Sequence, residues 1–410
     1  MNTDITIIGG GASGLCAAIE IKRVCPSANV IIAERSDRTG KKILATGNGR
    51  CNLSNKRLSS AAYHGSIKNF MEIIKKTQSS EKFFNSIGVL CTSDNEGRIY
   101  PYSRNASSVL TALRLKLSEL EVKELCGFYA VKIEKKNNCY IIHSDDGMTI
   151  KSKKIIIACG GYASPSFGTD GNMIRLLKNM NYKINKICPA VAPFKVNPEK
   201  LRGLKGVRVK GNISAVSGGK VIRTESGEIQ FTENTISGIC VFNLAYLFAE
   251  YEGNLTLRAD LMPEINIEKL QKILLDIKSD RHMHTLENFL NGIFVKNLSV
   301  YIIRNALSRP LTDKISSLKY NDIRKIAEFI KCLEFKVSGC CAWQNAQVTS
   351  GGISGLCVDE NLQSRKDKGI YFAGEILDID GDCGGFNLEW AWSSGMWAGR
   401  NCALSLKSDN

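Results

Sequence analysis

The tightest constraint on this chain lies in its first 34 residues. A short apolar run (Ile5, Ile7, Ile8) ends in glycines, a helical pattern follows, and a second apolar run, Val30-Ile31-Ile32-Ala33, stops on Glu34. Leu15, Ala18, Ile19 and Val24 share one face of the middle segment, as an amphipathic helix packed on a sheet requires. Gly9, Gly11 and Gly14 set a G-x-G-x-x-G spacing between strand and helix. The first glycine permits a tight turn, the second lets backbone approach a pyrophosphate, and the third lets helix and strand pack closely. Free N–H groups at the helix start, near Ala12 and Ser13, then face a diphosphate. Glu34 stands 20 residues beyond Gly14, where a carboxylate holds both hydroxyls of an adenosine ribose. That favours FAD or NAD over NADP. The competing reading is a glycine-rich turn in some other α/β protein.

After Glu34 a plain NAD dehydrogenase would enter its next crossover. Instead residues 39–55 (TGKKILATGNGRCNLSN) form an expected long loop suited to wrapping a larger ligand. Gly40, Gly47 and Gly49 let backbone come close, Lys42 and Arg50 neutralise phosphate, and Asn48, Asn52 and Asn55 suit a flavin edge. Ligand chemistry returns near the other end. Residues 369–375 read as a buried strand ending on Gly374 and Glu375, followed by Asp378, Asp380 and Asp382. Gly384-Gly385 then precede a helix over 389–404, so a bare helix N-terminus is aimed at the ligand. Such an end stabilises the anionic edge of a reduced flavin. A metal reading of the three aspartates competes, but their spacing resembles no metal loop.

Between these ends the pattern predicts mainly helix over 66–120, including 67–76 and 107–120 around a turn at Asp94-Asn95-Glu96-Gly97. A β-meander follows over 128–134, 139–143 and 148–151, in which Val131 can present backbone to an adenine. The apolar run 154–158 reads as a separate buried parallel strand that stops at Gly160, and Asp170-Gly171 opens a helix to Asn181. From Ala190 to Leu257 short strands alternate with turns at 217–220 and 225–228, with a helix start at Ser237-Gly238. Amphipathic helices are expected over 267–333. The predicted division is 1–189 and 346–410 as a discontinuous cofactor domain, with 190–345 inserted as a barrel-plus-helix domain that covers the active site and contacts substrate.

Composition serves mainly to exclude. At 43% apolar and 23% charged residues, the chain is an ordinary globular one. Its 15 cysteines contain no C-x-x-C, and its four histidines offer no metal-ligand spacing with them, so buried free thiols in a reducing cytoplasm are expected. Met1 leads almost directly into the first strand, leaving no room for a signal peptide. The apolar stretch 236–249 is too short to span a bilayer, so no membrane partner is expected. The +15 net charge favours anionic partners, yet the basic residues are dispersed without an aromatic–basic stripe, which disfavours nucleic acid.

GGGASGL at 9–15, the 39–55 loop, VTSGGI at 348–353 and GIYFAGEILDIDGDCGGFNLEWAWSSGMWAG at 369–399 resemble the BaiN-like (aminoacetone oxidase-like) flavoproteins, described as NAD(P)/FAD-dependent oxidoreductases. The resemblance spans the whole chain. It implies an α/β, Rossmann-like FAD-binding domain of glutathione-reductase type, discontinuous, with an inserted β-barrel plus helical domain, in a bacterial cytoplasmic protein. By the same resemblance FAD contacts fall on Gly9, Gly11, Ala12, Ser13, Gly14, Glu34, Arg35, Lys42, Thr46, Gly47, Gly49, Cys51, Asn52, Val131, Gly160, Gly374, Glu375, Gly385, Phe386, Asn387 and Leu388. Glu233 departs from the family, where histidine is expected.

The implied activity is two-electron hydride transfer through flavin N5 to or from a small organic substrate. Family members proposed to reduce steroid or bile-acid enones make an NAD(P)H-driven reductase of conjugated ketones the sharpest form of that expectation. No second G-x-G-x-x-G exists, so NAD(P)H would visit transiently as donor. Arg50 and Tyr162, with Arg98 and Tyr100 behind them, are the candidates to donate a proton or polarise a carbonyl, and packing explains each equally well. Three alternatives stand: an RNA-modifying flavoenzyme, an amine or aminoketone oxidase, and a non-catalytic flavin redox sensor.

Overall fold

Strand Asn2–Ile8 lies between two parallel neighbours, Val30–Glu34 and Thr149–Ile157, in a seven-stranded sheet. The computed structural model describes residues 1–251 and 253–408. It separates into two compact units: Met1–Pro189 with Ala346–Asn410, and Ala190–Asn345. In the first unit five strands run parallel in the order Lys123–Cys126, Val30–Glu34, Asn2–Ile8, Thr149–Ile157, Ile370–Phe372. Where both faces are covered, as at residues 30–33, residues 155–157 and Ile370–Phe372, the strands are wholly apolar. Ile5, Ile7, Ile32 and Ile156 pack on one side, and Ile8, Ile31, Ile155 and Ile157 on the other. The alternation follows directly from the strand's two-residue period.

Helix Ala12–Val24 and the final helix Phe386–Ser408 lie against the same face of that sheet. They touch nearly backbone to backbone. A Cβ on Gly395 would sit 2.3 Å from the Ser13 carbonyl, and one on Gly399 would sit 2.6 Å from that of Ala17. Only glycine permits that approach, and it joins the two ends of the chain. Trp392, fully buried, donates its indole N–H to the Leu53 carbonyl at 3.0 Å and so fixes the final helix to the 39–55 segment as well.

The second unit is built on a closed barrel in the order Phe194–Val196, Thr235–Ser237, Lys220–Phe231, Arg208–Ser217, Thr256–Asp260, Leu333–Cys340. Helices Ile267–Asp280, Lys296–Leu307 and Tyr320–Lys331 are inserted before its last strand, whose Leu333, Phe335 and Val337 alternate inward.

The structure revises several local expectations. Segments 148–151 and 154–158 are one strand, Thr149–Ile157, because the chain pairs with Cys139–Ser144 early and Ile370–Phe372 late without breaking. Within the expected helical stretch 66–120 a hairpin appears, Cys91–Ser93 with Arg98–Pro101. The supposed turn at 225–228 lies inside Lys220–Phe231, where a Cβ on Gly227 would come within 3.2 Å of the Cys240 side chain. The 39–55 segment begins with a short helix, Lys41–Ala45, and ends in a strand, Ser54–Asn55. No helix among the described residues is long and apolar enough to cross a membrane.

Candidate cofactor cradle

The carboxyl ends of the central parallel strands gather the glycines that the sequence singled out. Gly9 follows Ile8 with φ 107, and a Cβ there would meet Ala158 backbone at 2.6 Å. A Cβ on Gly14 would lie 2.0 Å from the Gly9 carbonyl, so helix and turn lock only with glycine. Gly11 and Gly160 are different. A Cβ at either would meet nothing within 4 Å, which marks open space above the strand ends. That is where a pyrophosphate fits, against the start of Ala12–Val24.

Glu34 is placed for a ribose. Its Oε2 accepts from Gly10 N and its Oε1 from Ser36 N, both at 2.8 Å. Each oxygen keeps lone pairs for a sugar hydroxyl, and the negative charge would repel a 2′-phosphate. Close by, Phe128 N bonds to the Glu34 carbonyl at 2.9 Å, leading into strand Ala130–Lys136. The ladder slips between Ala130 and Lys132, leaving Val131 out of register and 43% exposed. The Arg35 guanidinium pairs with Asp170 at 2.8 Å and lies over the Tyr129 ring.

The 46–55 segment is wound by successive left-handed residues, Gly47, Asn48, Gly49 and Cys51. Gly47 has no room for a Cβ, which would approach Asn52 N to 2.8 Å. Thr46 closes the winding, its carbonyl accepting from Cys51 N at 2.9 Å. Cys51 is buried, and burial pushes its thiol up to about 12, so it packs as a neutral group. Asn52 is also buried, yet its Oδ1 has no hydrogen-bond partner. The same oxygen lies 2.8 Å from where a Gly385 Cβ would be. An orphaned acceptor beside a glycine at a helix start fits an N–H or hydroxyl of a bound flavin nucleotide.

From the other end of the chain, Phe372 leads to Gly374 and Glu375. Gly374 N donates to Ser394 Oγ at 2.9 Å, and a Cβ on Gly374 would strike Ser13 Oγ at 2.5 Å. Glu375 joins both ends: Lys42 Nζ donates to its Oε2 at 2.9 Å, and Thr349 N to its Oε1 at 3.1 Å. Gly385, Phe386, Asn387 and Leu388 open the final helix. Asn387 is turned back onto Gly381, receiving its N–H at 2.8 Å, and Phe386 packs edge-on against Tyr63.

The proposed proton donors do not converge as a set. Arg50 is exposed, and its Nε donates to the Gly47 carbonyl at 3.3 Å. Its guanidinium and that of Arg104 lie over the buried Tyr100 ring, at 5.6 and 4.6 Å. Arg98 pairs with Asp94 and Glu96. Tyr162 donates its backbone N–H to Thr349 Oγ1 at 2.8 Å, and its ring fills the space that Gly171 leaves. Glu233, in the other unit, is exposed and pairs with Lys205 at 3.1 Å.

The sequence marked Asp380 only as one of three aspartates with a competing metal reading, not as a buried acid. It sits on strand Ile379–Gly381, is 3% exposed, and its Oδ1 has no hydrogen-bond partner. Burial, reinforced by Asp378, Asp382 and Glu375, pushes its carboxyl up to about 8 despite a hydrogen bond with Ser350. The spacing held a signal, since Asp378, Asp380 and Asp382 alternate with apolar or small residues at a strand's period.

The family of HI0933-like proteins, described as a Rossmann domain, matches residues 3–401. A 3-dehydro-bile acid delta(4,6)-reductase from Clostridium scindens is 36% identical over 406 residues, spanning 97% of this chain and 98% of that protein. A ribosomal RNA dihydrouridine synthase from Haemophilus influenzae is 24% identical over 410 residues, spanning 98% of this chain and 97% of that protein. Among solved structures, 3-ketosteroid delta1-dehydrogenase from Sterolibacterium denitrificans aligns with a TM-score of 0.51 at 14% identity, over 98% of this chain and all of that one. A likeness at that identity speaks for the fold. The fold is a Rossmann-type FAD-binding one with a closed six-stranded barrel, and the cradle residues fit FAD.

Proposed function

Because the chain belongs to the HI0933-like Rossmann family, we propose that this FAD-dependent oxidoreductase reduces a carbon–carbon double bond conjugated to a ketone, in a steroid or bile-acid type substrate. The observation that carries the reading is the bile-acid reductase, 36% identical over 97% of the chain. FAD supplies two-electron hydride chemistry when bound. The chain's own residues hold it: Glu34 at the ribose, the Gly9–Gly14 turn at the pyrophosphate, and Asn52 with the Gly385 turn at the flavin end. NAD(P)H is the proposed electron donor, visiting transiently. We assign cofactor holding to 1–189 and 346–410, and substrate selection to the barrel-and-helix insertion at 190–345. Fifteen free thiols support a reducing compartment such as the cytoplasm.

A second reading has its own support. Dihydrouridine is a uridine whose ring double bond, conjugated to a carbonyl, has been reduced, so a dihydrouridine synthase performs related chemistry. The ribosomal RNA dihydrouridine synthase is 24% identical to this chain, whose net charge of +15 suits an anionic partner. One experiment separates the two. Anaerobic purified protein is reduced with NADH or NADPH, followed at the flavin absorbance, then offered a 3-oxo-Δ4 bile acid or unmodified ribosomal RNA. Rapid reoxidation by the bile acid alone is expected. Reoxidation by RNA alone moves the assignment to RNA, and no bleaching by either nucleotide removes the proposed donor.

A further inference from the structure

Resting on that reading of the cradle, we propose that Asp380 is held in the fold as a neutral carboxylic acid and that it supplies the proton of the reduction through the Ser350 hydroxyl. The argument begins with burial. Asp380 is 3% exposed and its Oδ1 lacks any partner, so an ionised carboxylate there would keep one oxygen that neither water nor a donor satisfies.

The surroundings offer no relief. Asp378 and Asp382 flank it on its own segment, and Glu375 precedes them. The Asp378 carboxylate takes the Asn185 amide. On strand Tyr63–Gly65, His64 is the cross-strand partner of Asp380, but its ring is turned to Asp382, Nε2 to Oδ1 at 3.0 Å. On the final helix the Asn387 amide donates to the Gly381 carbonyl. The largest influences on Asp380 after burial are the Ser350 hydroxyl and three acids, Asp378, Asp382 and Glu375.

Ser350 gives the buried acid an outlet. Every other residue of strand Val348–Ile353 is buried, whereas Ser350 is only partly buried. The preceding Thr349 N donates to Glu375, the carboxylate that Lys42 of the glycine-rich segment also holds. Ser350 thus follows a residue bonded to the cradle carboxylate Glu375, and its hydroxyl hydrogen-bonds Asp380. A hydroxyl both donates and accepts, so it can pass one proton outward while taking another from Asp380. Reduction of the conjugated bond consumes one hydride equivalent, from the nicotinamide donor, and one proton. The Ser350 O–H bond breaks as the new C–H bond forms at the α-carbon, the Asp380 proton refills the hydroxyl, and water later reprotonates the carboxylate.

The test uses the yellow holoprotein. Infrared spectra at pH 6 and pH 9.5 are compared for the parent, Asp380→Asn and Ser350→Ala, together with the pH profile of enone reduction. The parent should lose a neutral carboxylic-acid C=O band on alkalinisation, a band missing from Asp380→Asn and kept in Ser350→Ala. Reduction should fall roughly a hundredfold in Asp380→Asn and lose its alkaline limb, as removal of a general acid does. Ser350→Ala should slow reduction while leaving flavin content unchanged. A yellow parent with no such band, or variants with the parent's rate and pH profile, overturns the proposal. Protein that neither carries nor takes up FAD overturns the cradle reading instead.

Discussion

Glu34 and Asp380 are both acids in the unit formed by Met1–Pro189 and Ala346–Asn410, one contributed from each end of the chain, and the fold treats them oppositely. Each Glu34 oxygen receives a backbone N–H, so its charge is met by fixed dipoles and remains available to ribose hydroxyls. Asp380 has an oxygen with no partner and three acidic neighbours. The same functional group thus becomes an anion-like acceptor at one point and a proton store at the other. Chemical identity does not decide the role; the count of donors within reach does.

The comparison breaks most completely if the glycine turn beneath Glu34 is closed. Gly14→Ala would drive a Cβ to 2.0 Å from the Gly9 carbonyl, a backbone atom that cannot step aside. We expect more than about a hundredfold loss of FAD affinity, ~3 kcal/mol, read as flavin absorbance per polypeptide. Full flavin content in this variant would mean that the turn does not carry the cofactor.

Next in size is the pH dependence that Asp380 imposes. Its carboxyl rises from an ordinary 3.8 to about 8 in the folded state. Between those values the folded protein keeps a proton that the unfolded chain has released, so stability is full at low pH and falls as pH rises through the window. Denaturant midpoints should decline from pH 5 to pH 8, and Asp380→Asn should flatten that decline. An equal slope in both proteins would show that Asp380 ionises normally.

How much of this was legible beforehand follows from what each residue's role depends on. The cradle glycines were readable because their function is local: Gly9 needs φ 107 and Gly14 needs a missing Cβ. Glu34 was readable through its distance from them. The hairpin Cys91–Pro101 was not, since its strands are three and four residues long, too short to show a period. The closing barrel strand Leu333–Cys340 was hidden behind the inserted helices, because pairing with Phe194–Val196 is set by tertiary contact and not by neighbours in sequence. Asp380 looked like one of three loop aspartates. Its burial comes from the strand Tyr63–Gly65 folding over it, a partner more than 300 residues away. Arg35, placed by resemblance at the cofactor, has its guanidinium paired with Asp170 and over Tyr129, contacts that no local sequence pattern shows.

On the ribose side, Glu34→Gln keeps the shape but turns one acceptor into an NH2 group facing a backbone N–H. That costs roughly 1–2 kcal/mol, about tenfold in FAD affinity, measured by titrating apoprotein with FAD. Because the charge that repels a 2′-phosphate is also removed, discrimination between ribose and 2′-phosphoribose ligands should weaken in the same variant. An unchanged affinity would place the adenosine elsewhere.

The smallest effect should come from the link between the two ends. Lys42 and Glu375 pair at 2.9 Å, with side chains 31% and 20% exposed, so solvent screens much of their attraction. A double-mutant cycle with Lys42→Met and Glu375→Gln should give a coupling below about 1 kcal/mol in stability, decreasing with salt. The singles should nonetheless differ. Glu375→Gln also weakens the acceptor that receives Thr349 N, and it removes one of the acids acting on Asp380. The infrared step assigned to Asp380 should therefore move to lower pH in Glu375→Gln and stay nearly in place in Lys42→Met. Equal movement in both variants would mean that the ion pair, rather than the buried carboxylates, governs the proton at Asp380.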